Sequence, residues 1–93
     1  MNLLFKDPDS RVDYLVDWGA AHLGANSITA SQWSVHPQHD AGLAVVAHRH
    51  DARTTTVSLE GGRAGMVYDV TNRVSLSNGE LDERSLSVRV EQR

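Results

Sequence analysis

The side chains most capable of chemistry in this sequence are its histidines, which fall into two close pairs, His36-x-x-His39-Asp40 and His48-x-His50-Asp51, with His22 standing apart. Neutral imidazole is the commonest metal ligand in proteins, and a strand turns residues i and i+2 to the same side, so His48 and His50 could share one metal ion. Length excludes a four-histidine site. If residues 28–36 and 43–50 form a hairpin, the two pairs sit at its opposite ends, on the order of 16 Å apart at about 3.3 Å per residue. The pairs are therefore expected to be exposed polar loop residues. His48 and His50 remain the one metal candidate, alone or shared between subunits, and His22 is expected to be structural.

Two carboxylate pairs could work as acid and base, Asp13 with Asp17 and Asp82 with Glu83. Such pairs need a shielded pocket that drives their pKa values apart, whereas these fall on expected outer faces or in a turn. Serine, histidine and aspartate all occur, but there is no Gly-x-Ser-x-Gly elbow and no phosphate-cradling glycine loop ahead of a helix. The sequence thus nominates no catalytic residue and no cofactor. Trp18, Trp33 and Tyr68 could form an aromatic platform for a ligand, yet in a chain with only two Trp, two Tyr and one Phe they are expected in the core.

The elements that must position these residues are strands. Gly61-Gly62-Arg63-Ala64-Gly65 reads as a corner, and positive φ is expected at Gly62 or Gly65. Beyond it Met66, Tyr68, Val70, Val74 and Leu76 alternate with Val67, Asp69, Thr71, Arg73 and Ser75, the period of a half-buried strand, and Asn72 alone breaks the inward set. Ser77-Asn78-Gly79 predicts a tight turn, after which Leu86, Val88 and Val90 alternate with polar residues on an antiparallel return strand.

Earlier in the chain, Asp7-Pro8-Asp9-Ser10 is a turn signal, or alternatively a helix cap. Val12, Tyr14, Val16 and Trp18 then share one face of a strand, with Leu15 out of phase. Residues 19–24 read as a connection too short for a stable helix. From Ile28 to Val35 the apolar phase switches, as an extra residue near Ser31-Gln32 would produce. Residues 36–42 are a polar loop, and Leu43 to Ala47 form an apolar strand that runs into the charged His48-Arg49-His50-Asp51. In the β-branched run that follows, Thr55, Val57 and Leu59 face inward.

Six or seven strands at this spacing, with no internal repeat, predict an all-β fold, a single immunoglobulin-like antiparallel β-sandwich spanning residues 1–93. A small β-barrel is the alternative. Leu59, the glycine corner and Tyr68 also fit a tyrosine corner, in which the phenol bonds backbone across the bend. The chain has no cysteine, which removes disulfides and thiolate zinc sites, and its net charge of −3 with dispersed basic residues lacks the footprint of a nucleic-acid binder. Leu3-Leu4-Phe5, cut off by Lys6-Asp7, is far short of a signal peptide or membrane span, so a soluble protein made in the cytosol is expected.

One set of residues carries a resemblance: Lys6-Asp7-Pro8, Asp13-Tyr14 with Asp17-Trp18, Leu23-Gly24, and Ile28 with Trp33. It continues through Leu59-x-Gly61-Gly62-x-x-Gly65-x-x-Tyr68-x-Val70-Thr71-Asn72, Ser77 with Gly79, and Asp82-Glu83-Arg84-Ser85-Leu86. In this order the chain resembles a family of short tailed-bacteriophage virion proteins described as fiber-tail adaptors. The resemblance implies a structural role in the virion, with tail or fiber proteins or further copies of itself as partners and no catalytic residues or cofactors. It also implies synthesis in the cytoplasm of the infected bacterium. The histidine-rich segment 36–51 departs from the family pattern. A host-surface glycan- or receptor-binding module and a head decoration protein are the competing functions. A glycan reader would expose aromatic rings, whereas these fall in phase with buried residues.

Overall fold

Alternation becomes strand in every segment where it was expected. The computed structural model describes residues 2–19 and 23–92, and its strands are β1 (Asn2–Lys6), β2 (Val12–Asp17), β3 (Ile28–His36), β4 (Leu43–His50), β5 (Thr54–Gly61), β6 (Val67–Leu76) and β7 (Leu81–Val90). One sheet has the order β1-β7-β6-β3 and the other β2-β5-β4. The two remain separate, so the chain is a sandwich and the barrel alternative is set aside. His22 lies outside the described residues, as does half of the 19–24 connection, residues 20–22.

Four strand pairs are antiparallel. The exception is β1, which runs parallel to β7 with Leu4 opposite Val88. Leu3-Leu4-Phe5, read from sequence only as too short for a span, is therefore a strand at the edge of the larger sheet. The return strand β7 also begins at Leu81, earlier than its apolar alternation suggested.

A hairpin of residues 28–36 with 43–50 does not form, because β3 pairs with β6 and β4 with β5. The reason is local. Asp51 Oδ1 accepts the backbone N–H groups of Arg53 and Thr54 at 2.9 and 2.7 Å, which folds a short turn and joins β4 to the strand that follows it. Residues 37–42 then cross from one sheet to the other. The phase switch in β3 also sits nearer its start than Ser31-Gln32: the register shifts between Ile28 and Ala30, and the leftover Thr29 donates its hydroxyl to Ser75 O at 3.1 Å.

The interior has two parts. Val35, Leu43, Val57, Leu59, Tyr68, Val70, Val88 and Val90 form one buried cluster, and Trp18, Leu23, Ile28, Val74 and Leu76 form the other. Each fully buried valine or leucine contributes about 1.5–3 kcal/mol of transfer free energy. Of the residues expected inward, Val12, Tyr14, Val16, Trp33, Met66 and Leu86 are only partly buried. For Val12, Tyr14 and Val16 the cause is that β2 is an edge strand. By contrast β5, the middle strand of its sheet, is buried on both faces from Thr55 to Leu59, because Leu15 and Arg49 flank Thr56 while Asp13 and Ala47 flank Ser58.

Candidate functional site

The histidines are not brought together. His48 and His50 sit opposite Val57 and Thr55 on β4, exposed because β4 is an edge, and the His50 ring reaches only the carbonyl of Asp51 at 3.4 Å. Among the described residues no group of three or more His, Asp or Glu side chains could hold a metal ion. The carboxylates are likewise dispersed. Asp13 accepts the Ser58 hydroxyl, Asp17 Oδ1 accepts the Gly19 N–H at 2.9 Å, and Glu83 makes an exposed ion pair with Arg73 at 3.6 Å. Hydrogen bonds from the backbone N–H groups of Arg53 and Thr54 hold the Asp51 carboxyl below the usual range.

His39 belongs to the tyrosine corner. The corner forms as expected, with Arg63 N–H donating to the buried Tyr68 hydroxyl at 3.0 Å, and His39 Nε2 adds a second contact to that hydroxyl at 2.9 Å. The two rings stack with centroids 5.5 Å apart. His39 Nδ1 lies 3.0 Å from Asp40 O, an oxygen that can only accept. In the neutral ring Nδ1 therefore carries the proton, and Tyr68 donates to Nε2. This locks the 37–42 crossover, which the sequence presented as a free polar loop, onto the core. Beside it a cleft of about 540 Å³ runs between β3 and the start of β4, lined by Trp33, Val35, His39 and Leu43.

The aromatic platform does not exist, because Trp18 and Tyr68 are buried in different clusters. Trp18 is instead bound into a polar network centred on Asn72, the residue that breaks the inward alternation. Its indole N–H lies 3.2 Å from Asn72 Oδ1 and 3.3 Å from Thr55 Oγ1, and Thr55 donates to the same Asn72 oxygen at 2.6 Å. Asn72 Nδ2 donates to Ser31 Oγ at 2.9 Å and Gln32 O at 3.1 Å, so its carboxamide is fully used.

Sequence reasoning missed Lys6. It is 1% exposed, and its ammonium donates to Asp7 O at 2.9 Å and Gly61 O at 2.7 Å, tying β1 to the end of β5. Burial lowers its pKa, opposed by the nearby carboxylates of Asp7, Glu60 and Asp9. Its place in the Lys6-Asp7-Pro8 motif was the only signal. A second cleft, of about 410 Å³, lies between β1, the start of β7 and the open edge of β2.

Two unclosed sheets joined through a tyrosine corner define the class as an immunoglobulin-like β-sandwich. The solution structure of the PKD domain from KIAA 1837 protein superposes with a TM-score of 0.56 over 98% of this chain and 79% of that one, at 20% identity, a likeness of fold. Residues 6–89 match the family described as podophage GP4 fiber-tail adaptor protein gp77, and the chain belongs to that family. Its character is thus that of a tail-associated structural protein. No curated protein sequence matches the chain.

Proposed function

We propose that this protein is a virion adaptor that joins tail and fiber components through protein–protein contacts, acting as one folded unit over residues 1–93. The observation that carries this reading is the family match over residues 6–89, which runs from the buried Lys6 to Arg89 and so takes in β2 to β6 whole and all of β7 but its last residue. The geometry supports it from the other side. Trp18, Asn72, Tyr68 and His39 spend their polar atoms on hydrogen bonds that hold the interior and the 37–42 crossover together, so function falls to the edges and loops, which a rigid sandwich holds in place. In this reading the protein is no enzyme, takes no cofactor or metal at His48 and His50, is made in the cytoplasm of the infected bacterium and ends in the particle. Repetition around the tail axis lets individually modest contacts add up through multivalency.

Cryo-EM of complete particles tests this. The protein should be a repeated, stoichiometric component near the tail or fibers, and particles made without it should lack an attached part. Infectious particles that contain none of it would overturn the adaptor reading. Glycan binding by the isolated protein would instead favour the receptor-binding alternative, against which stands the burial of Trp18 and Tyr68.

A further inference from the structure

The two sheets differ by one strand, and the place left over lies beside β2. With β3 against β4, the strand orders set β6 over β5, where Asn72 meets Thr55, and β7 over β2, where Arg84 reaches Asp17 O. This leaves β1 with no strand of the smaller sheet opposite it among the described residues, and only Lys6 at its end reaches that sheet, at Gly61 O. The inner side of β1 and the free edge of β2 border the 410 Å³ cleft, whose walls include Leu4, Tyr14, Val16 and Leu86 and whose mouth is marked by Asp17 and Arg84.

Among the described residues β2 pairs with β5 alone, which leaves hydrogen-bonding capacity on its other edge. Trp18 N–H donates to Arg53 O at 3.0 Å in the same register that pairs Val12 with Leu59, so the even-numbered residues of this stretch bond β5. The N–H and C=O groups of Asp13, Leu15 and Asp17 consequently face away from β5. Asp17 O is already reached from that side by Arg84 Nη1 at 3.3 Å. The other edges are blunted: β4 has a register shift between Val45 and Ala47 followed by His48, Arg49 and His50, β3 is shifted at Ile28/Ala30, and β1 has only five residues. Bulges, edge charges and short edge strands are the usual guards against strand addition. In β2 six residues keep unbroken register with no Lys, Arg or Pro, and Leu15 is 61% exposed.

We propose that β2 accepts one extended segment of another virion protein as an added strand, which lies beneath β1 and makes the smaller sheet four-stranded. This deepens the adaptor reading and rests on it for the source of the segment. A second copy of this chain does not fit the place, because antiparallel pairing of two β2 edges sets both larger sheets on the same side, each β1 overlapping the other. The segment's chemistry follows from the edge. Residues entering the cleft are aliphatic, to meet Leu4, Tyr14, Val16 and Leu86, and the alternate residues include Lys or Arg beside Asp13 and Asp17 on the outer face.

The test uses the intact protein, an array of short overlapping peptides covering the tail and fiber proteins of the same phage, and those proteins whole. A basic, alternating peptide should bind, its contacts mapping by NMR to the amides of Asp13, Leu15 and Asp17, which gain protection from hydrogen exchange. Leu15→Pro, which removes an outward N–H without touching the β5 ladder, should weaken binding by about tenfold or more. If that variant does not fold, Leu15→Lys, which sets a like charge against a basic segment, should have the same effect. Binding that maps elsewhere, or is unchanged in the folded variant, overturns the proposal, as does a self-association abolished by the same substitution. If no peptide binds while whole tail or fiber proteins do, the β2 site falls and the adaptor reading stands. If the whole proteins also fail to bind, both fall.

Discussion

Trp18 and Asn72 are 54 residues apart in sequence, and the indole N–H of one lies 3.2 Å from the carboxamide oxygen of the other in the interior between the two sheets. The contact lets a buried asparagine and a buried indole satisfy each other, and Arg84, 4.6 Å from the Trp18 ring centroid, covers the indole from the surface. Trp18→Ala should cost about 3–5 kcal/mol in chemical denaturation, through lost burial and the cavity left behind. Asn72→Leu keeps much of the volume but takes hydrogen-bond partners from Trp18, Thr55, Ser31 and Gln32. It should cost about 2 kcal/mol or more. An Asn72→Leu protein as stable as the parent would show that the network contributes nothing.

Removing the hydroxyl in Tyr68→Phe deprives the Arg63 N–H and His39 Nε2 of their shared partner. A loss of about 1–2 kcal/mol is expected. Because His39 and Tyr68 touch directly, the effects of Tyr68→Phe and His39→Ala should be non-additive, by about 0.5 kcal/mol or more in a double-mutant cycle. Simple additivity would mean that the crossover is not held through this pair.

The glycine corner separates two kinds of strain. Gly62 has φ +99 and an added Cβ would lie 2.6 Å from Val90 Cγ2, whereas Gly65 has φ +88 and open space around it. Gly65→Ala therefore meets only the backbone penalty, about 1 kcal/mol, and Gly62→Ala should cost more. Val90→Ala in the Gly62→Ala background should recover part of the clash term. Equal melting temperatures for the two single variants would refute this ordering.

The Asp51 turn should make stability depend on pH. Its folded pKa lies below the ordinary aspartate value because the carboxylate accepts two backbone N–H groups. Its contribution is therefore fully present above the unfolded pKa of about 4, and is lost as pH falls through the lower folded value. Asp51→Asn should melt below the parent at neutral pH, and the gap should close in acid. A gap that persists unchanged below pH 3 would show that the charge plays no part.

Much of the fold was legible because strand periodicity is local. Residues 12–18, 54–59 and 66–76 alternate visibly in sequence, and the glycine corner, Tyr68 and the Asn78-Gly79 turn announced the bends between them. Even the defect at Asn72 was visible, although its partners were not, since Trp18, Ser31 and Thr55 come from distant parts of the chain. Tertiary structure alone decided strand partners. Three apolar residues at the start become a strand only because β7 offers them a parallel edge, and β3 and β4, adjacent in sequence, go to different sheets because the Asp51 turn claims β4 for β5. Lys6 is buried only because folding brings the Gly61 carbonyl to its ammonium. The same holds for the free β2 edge: alternation shows which side of Val12–Asp17 is apolar, but whether a strand has one neighbour or two is set by the order of the sheet, a non-local property that no window of sequence contains.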